Sequence, residues 1–576
     1  MDDVEEEDYY LGRDRRFMKT PFGLRNAWPL GAVVLVVWIV LLITASQSTF
    51  WDRDESRYAT AAREMETSGN FLYPTFNHEL RAFQPVMIYW LMSTAIHAFG
   101  PGELSVRLAS TLAIAMVCLL TGLIAREFLG SGVTAAAIAG TSPMLLLTGT
   151  AATTDATLLL FILLAEWVFV RAWLHGPRRW HVPAMGAAIG LAMLTKGPAG
   201  LAVPILSIGT CLALAKGRSE AGPFAGRLAL AALLGIVIFL AWGLPANAAT
   251  GGAYWRIAIV ERLPARLFTA MESHGGQGVI PFLLHLPYYP LVLAIGFLPW
   301  TMFLSLVPGS FRIALPESGT SWARSPQGLL TLLVGMILPT FVLMTLVVTK
   351  LPHYIQPVFP WFAILVAYAL HAARTAPFAA TAAKRMKVAF IVFGILGLFG
   401  IITVTAAPWF WPPLFSLRGA GLIMGLIMAV LLAALVRVYW QGRIQTAFKI
   451  HAFGVVVWLL ACAFFVLPAL EQVAKPAQLL AREINPLIPP RASIASFGWH
   501  EPGMHFYLGA RRIIHLKTAA ALEEWLATAG PKALILNEAT LPRFSLPPQG
   551  FQILSTRSGI NHVQGHPVRL TAYLRE

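Results

Sequence analysis

A short charged segment stands out in this chain because the sequence around it is mostly apolar. The segment is WDRDESRYATAAREMETSGNF, Trp51 to Phe71, and its residues Asp54 and Glu55 come just before apolar side chains with helical spacing. Carboxylates at such a position either cap the N-terminus of a helix or act as acid and base in a reaction. The residues alone leave both roles open.

Three more ionisable side chains interrupt apolar runs elsewhere in the chain. Asp155 lies in GTAATTDATLLLF, Lys196 in LTKGPAG and Lys350 in TKLPHYIQP. An ionisable residue between apolar runs of membrane length is a candidate functional residue. The structural alternatives are a helix cap for Asp155 and, for the two lysines, side chains that reach along an apolar surface to the headgroup region.

A further group lies in ERLPARLFTAMESHGGQG, which contains Arg262, Arg266, Glu272 and His274. The glycines after His274 predict a mobile segment suited to closing over a substrate. His274 is either a metal ligand or base, or an ordinary surface residue, because a single histidine does not distinguish these roles.

The elements that position these residues are predicted to be membrane-spanning helices. Hydrophobic residues make up 57% of the 576 and charged residues 12%, and the mean hydropathy is +0.65. Apolar runs of about 17 to 24 residues, long enough to cross a ~30 Å hydrocarbon core, recur along the chain. We predict about thirteen spans, near 28–46, 104–125, 133–150, 156–173, 181–196, 199–215, 228–246, 288–311, 328–348, 354–373, 388–408, 418–437 and 451–470.

The distribution of basic residues predicts the orientation of the chain. Arginine and lysine residues precede the first span and recur in every second connection after it, so the N-terminus is expected in the cytoplasm. The net charge of +15 then reflects topology and attraction to anionic lipids, and we expect no nucleic-acid partner. The three cysteines, Cys118, Cys211 and Cys462, fall inside apolar spans at no metal spacing and are expected in the core.

On this topology the unusual acidic and basic residues share the external face of the membrane. Two acidic sites and two lysines at the membrane surface fit a substrate with an anionic phosphate at headgroup level and a hydroxyl to be activated. The lysines would hold the phosphate, a carboxylate would deprotonate the hydroxyl, and a lipid tail would run down between helices.

The predicted organisation has a cytoplasmic tail, a membrane domain and a small external domain. In the first external loop, an amphipathic helix begins near Glu55, with Tyr58 and Met65 on its apolar side and Arg57 and Glu64 elsewhere. PVMIYWLMSTAIHAFG predicts a second interfacial helix.

The C-terminal region is predicted to form an α/β domain of three or more strands. Its predicted strands are ASIASFG, RRIIHL, KALILN, FQILSTRS and VRLTAYLRE, and its predicted helix is TAAALEEWLATAG. The predicted parts are 1–27 (tail), 28–470 (membrane domain, with a first external loop at 47–103 and a mobile loop at 247–287) and 471–576 (external domain).

Taken in order, these motifs resemble a known family. DESRYATAAREMETSGNF, FQPVMIYW, VRLAS, TTDA, LTKGPAG, FLPW and KLPHYIQPVFP together look like the bacterial GT-C glycosyltransferases related to protein O-mannosyltransferases and lipid A aminoarabinose transferases. The resemblance implies an inverting enzyme that uses a polyprenyl-phosphate sugar, with its site on the periplasmic face beneath interfacial helices. Asp54 and Asp155 match the family's acidic positions, Lys196 its TKGP lysine, and Lys350 with Tyr354 its KLPxY motif.

The sequence departs from the family pattern before the second interfacial helix. The family often has lysine and proline there, and the aminoarabinose branch has a metal-binding glutamate before the lysine, whereas this chain has Phe83 and Gln84. We therefore expect neither a required zinc ion nor that particular substrate. With the lysine absent, Arg57, Lys196 or Lys350 must contribute more to phosphate recognition.

The sequence therefore predicts an inverting glycosyltransferase without a required cofactor. Its donor would be a polyprenyl-phosphate sugar, and its acceptor a lipid, glycan or protein at the external face. Asp54, Asp155 and Glu55 are the predicted catalytic residues; Arg57, Lys196, Lys350 and Tyr354 the predicted phosphate-binding residues; and Arg262, Glu272 and His274 the predicted acceptor or mobile-loop residues. A transporter of lipid-linked sugars is the main alternative, and it predicts polar residues at mid-membrane. A sensor that uses the C-terminal domain is a third reading.

Overall fold

The structure is a computed structural model. It describes residues 24–51, 53–215, 224–269, 279–311, 322–374, 376–509, 511–538, 550–561 and 565–576. Residues 1–23 of the predicted cytoplasmic tail and the predicted site residues Glu272 and His274 lie outside these ranges.

The first half of the membrane domain is a bundle of apolar helices with a small extramembrane insertion. Its helices are α1 (Leu24–Ala45), α2 (Asp54–Ser68), α3 (Met87–Phe99), α4 (Glu103–Leu129), α5 (Val133–Gly140), α6 (Pro143–Gly149), α7 (Asp155–His175), α8 (His181–Lys196), α9 (Ala199–Leu214) and α10 (Phe224–Ala249). Between α2 and α3 the chain forms a hairpin of two short strands, β1 (Thr75–Phe76) and β2 (Glu79–Leu80).

The second half contains several bent or short helical segments. They are α11 (Ala253–Trp255), a π-helical turn (Arg256–Arg262), α12 (Leu263–Phe268), α13 (Val279–Leu284), α14 (Tyr288–Gly296), a 3₁₀ segment (Trp300–Leu306) and α15 (Val307–Ser310). The longer helices are α16 (Pro326–Leu346), α17 (Phe359–Ala372), α18 (Ala376–Phe410), α19 (Arg418–Trp440), α20 (Ile444–Ala461) and α21 (Leu467–Ala474), and a 3₁₀ segment (Pro352–Val358) precedes α17.

All thirteen predicted spans coincide with helical segments, but not all are long, straight helices. Among the described residues nine helices are long and apolar enough to cross a membrane, or ten if one bent pair forms a single span. The predicted span 133–150 is two helices, because Pro143 holds Ser142 in an extended conformation between them. The predicted span 288–311 bends by 102° between Gly296 and Trp300. The polytopic fold is confirmed, and the count of thirteen stays a prediction.

The helices α2 and α3 confirm the two helices predicted in the first external loop. They pack on each other, with Ser93 Oγ donating to the carbonyl of Ala62 at 2.8 Å. The pattern was wrong for Glu64, which is buried rather than facing away from the apolar side. Its carboxylate accepts from Thr75 Oγ1 at 2.6 Å and from the backbone N–H of Asn77 at 2.7 Å, so it fixes the β1–β2 hairpin to α2.

The C-terminal region forms the small α/β domain that the sequence predicts. A helix, α22 (Pro476–Ile484), leads into a five-stranded sheet with the order β4-β3-β5-β7-β6, and α23 (Ala519–Ala527) packs against it. The strands are β3 (Ser493–Phe497), β4 (Ile513–Leu516), β5 (Lys532–Asn537), β6 (Gln552–Asn561) and β7 (His566–Arg575). Strand β3 runs parallel to β4 and β5, and β7 runs antiparallel to β5 and β6.

The C-terminal domain is bonded to the first external loop. Asn77 of the hairpin donates from Nδ2 to the carbonyl of Ile513 at 2.9 Å and accepts from its N–H at 2.8 Å. Tyr507 accepts at its hydroxyl from the N–H of Phe50 at 2.8 Å and donates to Glu103 at 2.9 Å. These bonds hold the hairpin and the start of α2 against the domain.

Candidate active site

The predicted site residues Asp155 and Lys196 meet in a buried ion pair. Asp155 is the first residue of α7 and Lys196 the last of α8, and Lys196 Nζ lies 2.5 Å from Asp155 Oδ1. His353 Nε2 approaches the same carboxylate oxygen at 3.7 Å. Only 8% of Asp155 is exposed. An ion pair in such a low-dielectric place interacts more strongly than one at the surface.

The local sequence around Lys196 explains its position. Gly197 has a φ of +60° and ψ of −135°, a backbone conformation that side-chain-bearing residues avoid. Its N–H bonds to the carbonyl of Met193 at 2.7 Å, which ends α8, and Pro198 then starts a new turn. The sharp reversal leaves Lys196 at the helix end, with Nζ 5.0 Å from the ring centroid of Tyr354. The predicted residues Lys196 and Tyr354 therefore lie together.

Asp54 lies within electrostatic range of His353, the histidine that faces this ion pair. Asp54 is exposed at the start of α2 and also lies within electrostatic range of Tyr58 and Arg81. Tyr58 is buried one turn further along α2, and its ring lies 5.7 Å from that of Tyr89. Burial, together with the charge of Asp54, raises the pKa of Tyr58 well above its usual range, so Tyr58 stays a neutral hydrogen-bonding group.

Glu55, a predicted catalytic residue, has the contacts of a structural group. Its two oxygens accept from Arg107 Nε at 2.6 Å, Arg107 Nη2 at 2.8 Å, and the N–H groups of Trp51 and Ala152, each at 2.8 Å. Burial opposes ionisation, but Arg107 and the two N–H donors outweigh it and lower the pKa of Glu55. A carboxylate with every oxygen occupied cannot accept a substrate proton. We call this group of Glu55 and Arg107 the Arg107 clamp.

Lys350, a predicted phosphate-binding residue, also has the contacts of a structural group. Its buried ammonium group donates to the carbonyls of Met344 at 3.2 Å, Val347 at 2.6 Å and Thr345. Three bonds use all three donors of an ammonium group. Lys350 thus binds the carbonyls that the end of α16 leaves without helical partners, and it holds the turn that leads to His353 and Tyr354.

The remaining predicted residues that the structure describes, Arg57 and Arg262, lie in two separate places. Arg57 faces the C-terminal domain, where it contributes with burial and His515 to lowering the pKa of His505 to about 3. Arg262 stacks on Phe83, with its guanidinium carbon 3.5 Å from the ring centroid. Arg262 also lines the cavity beside the ion pair.

A cavity of about 70 Å³ lies beside the ion pair. One part of its wall is cationic, with Lys196, Arg262 and Arg266, and another is apolar. The apolar wall includes Phe239, Trp242, Trp255, Ile259 and Leu263. A cavity with both kinds of lining is suited to an anionic headgroup attached to a hydrocarbon chain.

The wall formed by Phe83 does not fit a metal ion. The ring of Phe83 offers no oxygen or nitrogen ligand, and the guanidinium groups of Arg81 and Arg262 both lie against it, at 4.8 and 3.5 Å from its centroid. Among the residues that the structure describes, no group of three histidine, cysteine, aspartate or glutamate side chains is placed to hold a metal ion. Independence from metals stays a prediction, because Glu272 and His274 are outside the described ranges.

Sequence reasoning missed two polar members of the site, His353 and Arg81. His353 lies inside the motif that contains Lys350 and Tyr354, so its position beside them was the available signal. Arg266 lies one helical turn after Arg262, and both line the cavity. Arg81 had no sequence signal beyond its charge.

The fold and the site define a polytopic membrane protein of the GT-C type. Residues 83–242 match the family described as dolichyl-phosphate-mannose-protein mannosyltransferase. This match and the similarity to aminoarabinose transferases confirm the resemblance of the motifs to GT-C glycosyltransferases.

Two curated relatives and one solved structure give the extent of the similarity. The chain is 32% identical over 356 residues to undecaprenyl phosphate-alpha-4-amino-4-deoxy-L-arabinose arabinosyl transferase 2 of Sodalis glossinidius, covering 60% of each chain. It is 31% identical to the corresponding transferase of Edwardsiella ictaluri, covering 59% of this chain and 58% of the relative. The chain thus aligns with about 60% of the length of these relatives. The fold matches ArnT from Cupriavidus metallidurans bound to undecaprenyl phosphate, with a TM-score of 0.73, 19% identity and coverage of 95% of this chain and 97% of that one.

Proposed function

We propose that the protein is an inverting glycosyltransferase that moves a monosaccharide from a polyprenyl phosphate to an acceptor at the external face of the bacterial inner membrane. The observation that carries this proposal is the cavity with cationic and apolar walls, which is lined by Lys196 of the Asp155–Lys196 pair. The named relatives act on an undecaprenyl phosphate-linked sugar, which supports the same donor class here.

In the proposed mechanism Asp54 accepts the proton of an acceptor hydroxyl. The hydroxyl oxygen attacks the anomeric carbon from the face opposite the lipid phosphate, so a new carbon–oxygen bond forms as the bond to the phosphate oxygen breaks. The electron pair of the broken bond leaves with the phosphate, and the anomeric configuration inverts. An acceptor that is itself a phosphate needs no base, and Asp54 would then orient it.

The cationic wall stabilises the departing phosphate in this mechanism. Lys196, Arg262 and Arg266 line the cavity, and fixed charges in a partly dry site stabilise developing negative charge without solvent reorganisation. Asp155 holds Lys196, while the apolar wall of the same cavity accepts the start of the polyprenyl chain.

A transporter of lipid-linked sugars has less support. That alternative requires ionisable groups along a path through the membrane. Glu166, within α7, is such a group, but it is only 1% exposed and accepts a hydrogen bond from Trp361 Nε1 at 2.8 Å. This contact joins α7 to α17 rather than opening a polar path.

The test is donor cleavage by the purified protein in nanodiscs, with a panel of polyprenyl-phosphate monosaccharides and a membrane extract as acceptor. Replacement of Asp54 by Asn should reduce turnover by about 10²–10⁴-fold, the usual contribution of a general base. Binding of the donor should remain. Glu66→Gln is the matched control, because Glu66 lies on the same helix and pairs with His97 at 3.5 Å instead of facing the site.

Two results would contradict the proposal. Full activity of the Asp54→Asn protein would remove the base assignment. No consumption of any donor, together with lipid movement across the bilayer, would establish a transporter.

A further inference from the structure

Arg81 is a buried cation at the edge of the candidate active site. It follows β2, and its backbone N–H bonds to the carbonyl of Pro74 at 3.0 Å. Only 5% of the residue is exposed. Its guanidinium carbon lies 5.3 Å from the ring centroid of Tyr58 and 4.8 Å from that of Phe83, so aromatic rings, rather than acids, surround it.

The charge of Arg81 has no close anionic partner among the described residues. No described carboxylate lies within 4.0 Å of its nitrogen atoms, the distance at which the other ion pairs of the chain are formed. The side chains of Arg81 and Tyr89 lie within hydrogen-bonding range of each other, but Arg81 Nε and the Tyr89 hydroxyl are both buried without a hydrogen bond of normal geometry. Buried cations are normally paired, because desolvation without compensation is costly.

Asp54 does not supply the missing partner. It lies within electrostatic range of Arg81, but it is exposed and beyond ion-pair distance. Cation–π contact with Tyr58 and Phe83 compensates only part of the desolvation of a guanidinium group. A ligand anion between Arg81 and Tyr89 would satisfy both.

Two anionic groups of a sugar-phosphate donor are candidates for this ligand, the phosphate and an acidic group on the sugar. The phosphate has its own cationic wall at Lys196 and Arg266 in the cavity. Arg81 is not part of that wall, and the ring of Phe83 lies against Arg81 and Arg262 alike. Arg81 instead adjoins Asp54 and the tyrosines, where the sugar must lie for Asp54 to activate its attacker.

We propose that Arg81 binds a carboxylate on the transferred sugar, so that the donor is a polyprenyl-phosphate uronic acid. This inference rests on the proposed function. Guanidinium and carboxylate groups pair through two parallel hydrogen bonds, and the Tyr89 hydroxyl would donate a third. The relatives named above are transferases of an amino sugar. Arg81 would repel the ammonium group of such a sugar.

The experiment compares three undecaprenyl-phosphate donors that differ in one substituent: a uronic acid, the hexose of the same configuration, and an amino sugar. Donor consumption is measured as kcat/KM for wild type, Arg81→Met and Arg81→Lys in nanodiscs. We expect wild type to favour the uronic acid over the hexose by at least about tenfold, the scale of one charged hydrogen-bonded contact. Arg81→Met should lose this preference mainly through KM, and Arg81→Lys should retain part of it, because lysine keeps the charge without the planar fork.

The controls separate this inference from the proposed function. Arg569→Met, which changes an exposed arginine of the C-terminal sheet, should leave the donor preference intact. Binding of undecaprenyl phosphate without a sugar should be unchanged in both Arg81 variants. If wild type consumes none of the donors, the proposed function fails.

Other outcomes overturn the inference alone. They are turnover of all donors without preference for the acid, equal loss of all donors in Arg81→Met, and weaker binding of undecaprenyl phosphate itself, which would assign Arg81 to the phosphate. A shifted pH–rate profile with unchanged donor preference would make Arg81 a positioning residue for Asp54. The wild-type preference tests the inference even if Arg81→Met fails to fold.

Discussion

Arg107 and Arg81 are both buried arginines that contact α2, but their surroundings differ. Arg107 is 2% exposed and bonds to both oxygens of Glu55 and to the carbonyls of Ala45, Ser48 and Thr49. Arg81 has aromatic neighbours and no described carboxylate at ion-pair distance. A fully satisfied ionic group fixes a fold, whereas one left without a partner is available to a ligand.

The same contrast separates two adjacent acids. Asp54 and Glu55 are consecutive residues, yet Glu55 is buried in the Arg107 clamp and Asp54 is exposed. Mutations in the clamp should therefore reduce stability, and mutations around Asp54 should reduce activity in a protein that still folds.

Removing Glu55 should give the largest effect on stability. Glu55→Ala leaves Arg107 buried without its carboxylate, and loss of one partner of a buried ion pair typically costs about 3–5 kcal/mol. Thermal unfolding in detergent, followed by tryptophan fluorescence, measures the change. The double variant Glu55→Ala/Arg107→Met should be less destabilised than the sum of the single changes. A single variant as stable as wild type would contradict the clamp.

Breaking the Asp155–Lys196 pair should act mainly on turnover. Lys196→Met should lower kcat by about 10²–10³-fold, the scale of one preorganised charge at a reacting oxygen. Its effect on stability should be smaller than that of Glu55→Ala, because His353 still faces Asp155. Steady-state donor cleavage and thermal unfolding of the same preparation check both expectations. Loss of stability without loss of turnover per folded molecule would place this pair with the clamp.

Lys350 is a cation near the site, but it has the hydrogen bonds of a structural residue. Lys350→Met should destabilise the fold by about 1–3 kcal/mol, the cost of leaving buried carbonyls without donors. The KM for the donor should stay unchanged. A rise in KM with unchanged thermal unfolding would restore the phosphate-binding role predicted from the sequence.

The smallest expected effect concerns pH and the C-terminal domain. Burial, His515 and Arg57 lower the pKa of His505 to about 3 from an ordinary value near 6.5. The unfolded chain then binds a proton that the folded chain does not, so stability should fall as pH drops below about 6.5, by on the order of 1 kcal/mol per pH unit. His505→Gln should flatten this part of the curve between pH 6.5 and 5 in thermal unfolding. An unchanged slope would exclude His505 as its source.

The sequence predicted the elements better than the roles of single residues. Apolar length located the spans, and strand patterns located all five strands of the C-terminal sheet. The break at Pro143 and the bend after Gly296 were missed, since length and hydropathy do not measure direction. Charge and topology placed Asp155 and Lys196 on one face, and the structure brings them to 2.5 Å.

The role of Glu55 was not predictable from its neighbours in sequence. Its partners Arg107 and Ala152 lie 52 and 97 residues away, so no local pattern separates it from Asp54. Lys350 illustrates the opposite case, because its partners lie within six residues. The charge of Lys350 suggested a functional role, but its ammonium group binds the carbonyls that the end of α16 leaves without helical partners.

The two hydrogen bonds between Asn77 and Ile513 have a consequence for the biosynthesis of the protein. They join the hairpin between α2 and α3 to a strand that lies 436 positions later in the chain, and the hairpin is followed directly by Arg81. Since ribosomes make a chain from its N-terminus, the membrane helices emerge before the strand that holds this hairpin exists. Newly inserted chains would therefore lie in the membrane before these bonds can hold the hairpin beside the candidate site. A chain that terminates before β4 would insert into the membrane but would lack both bonds.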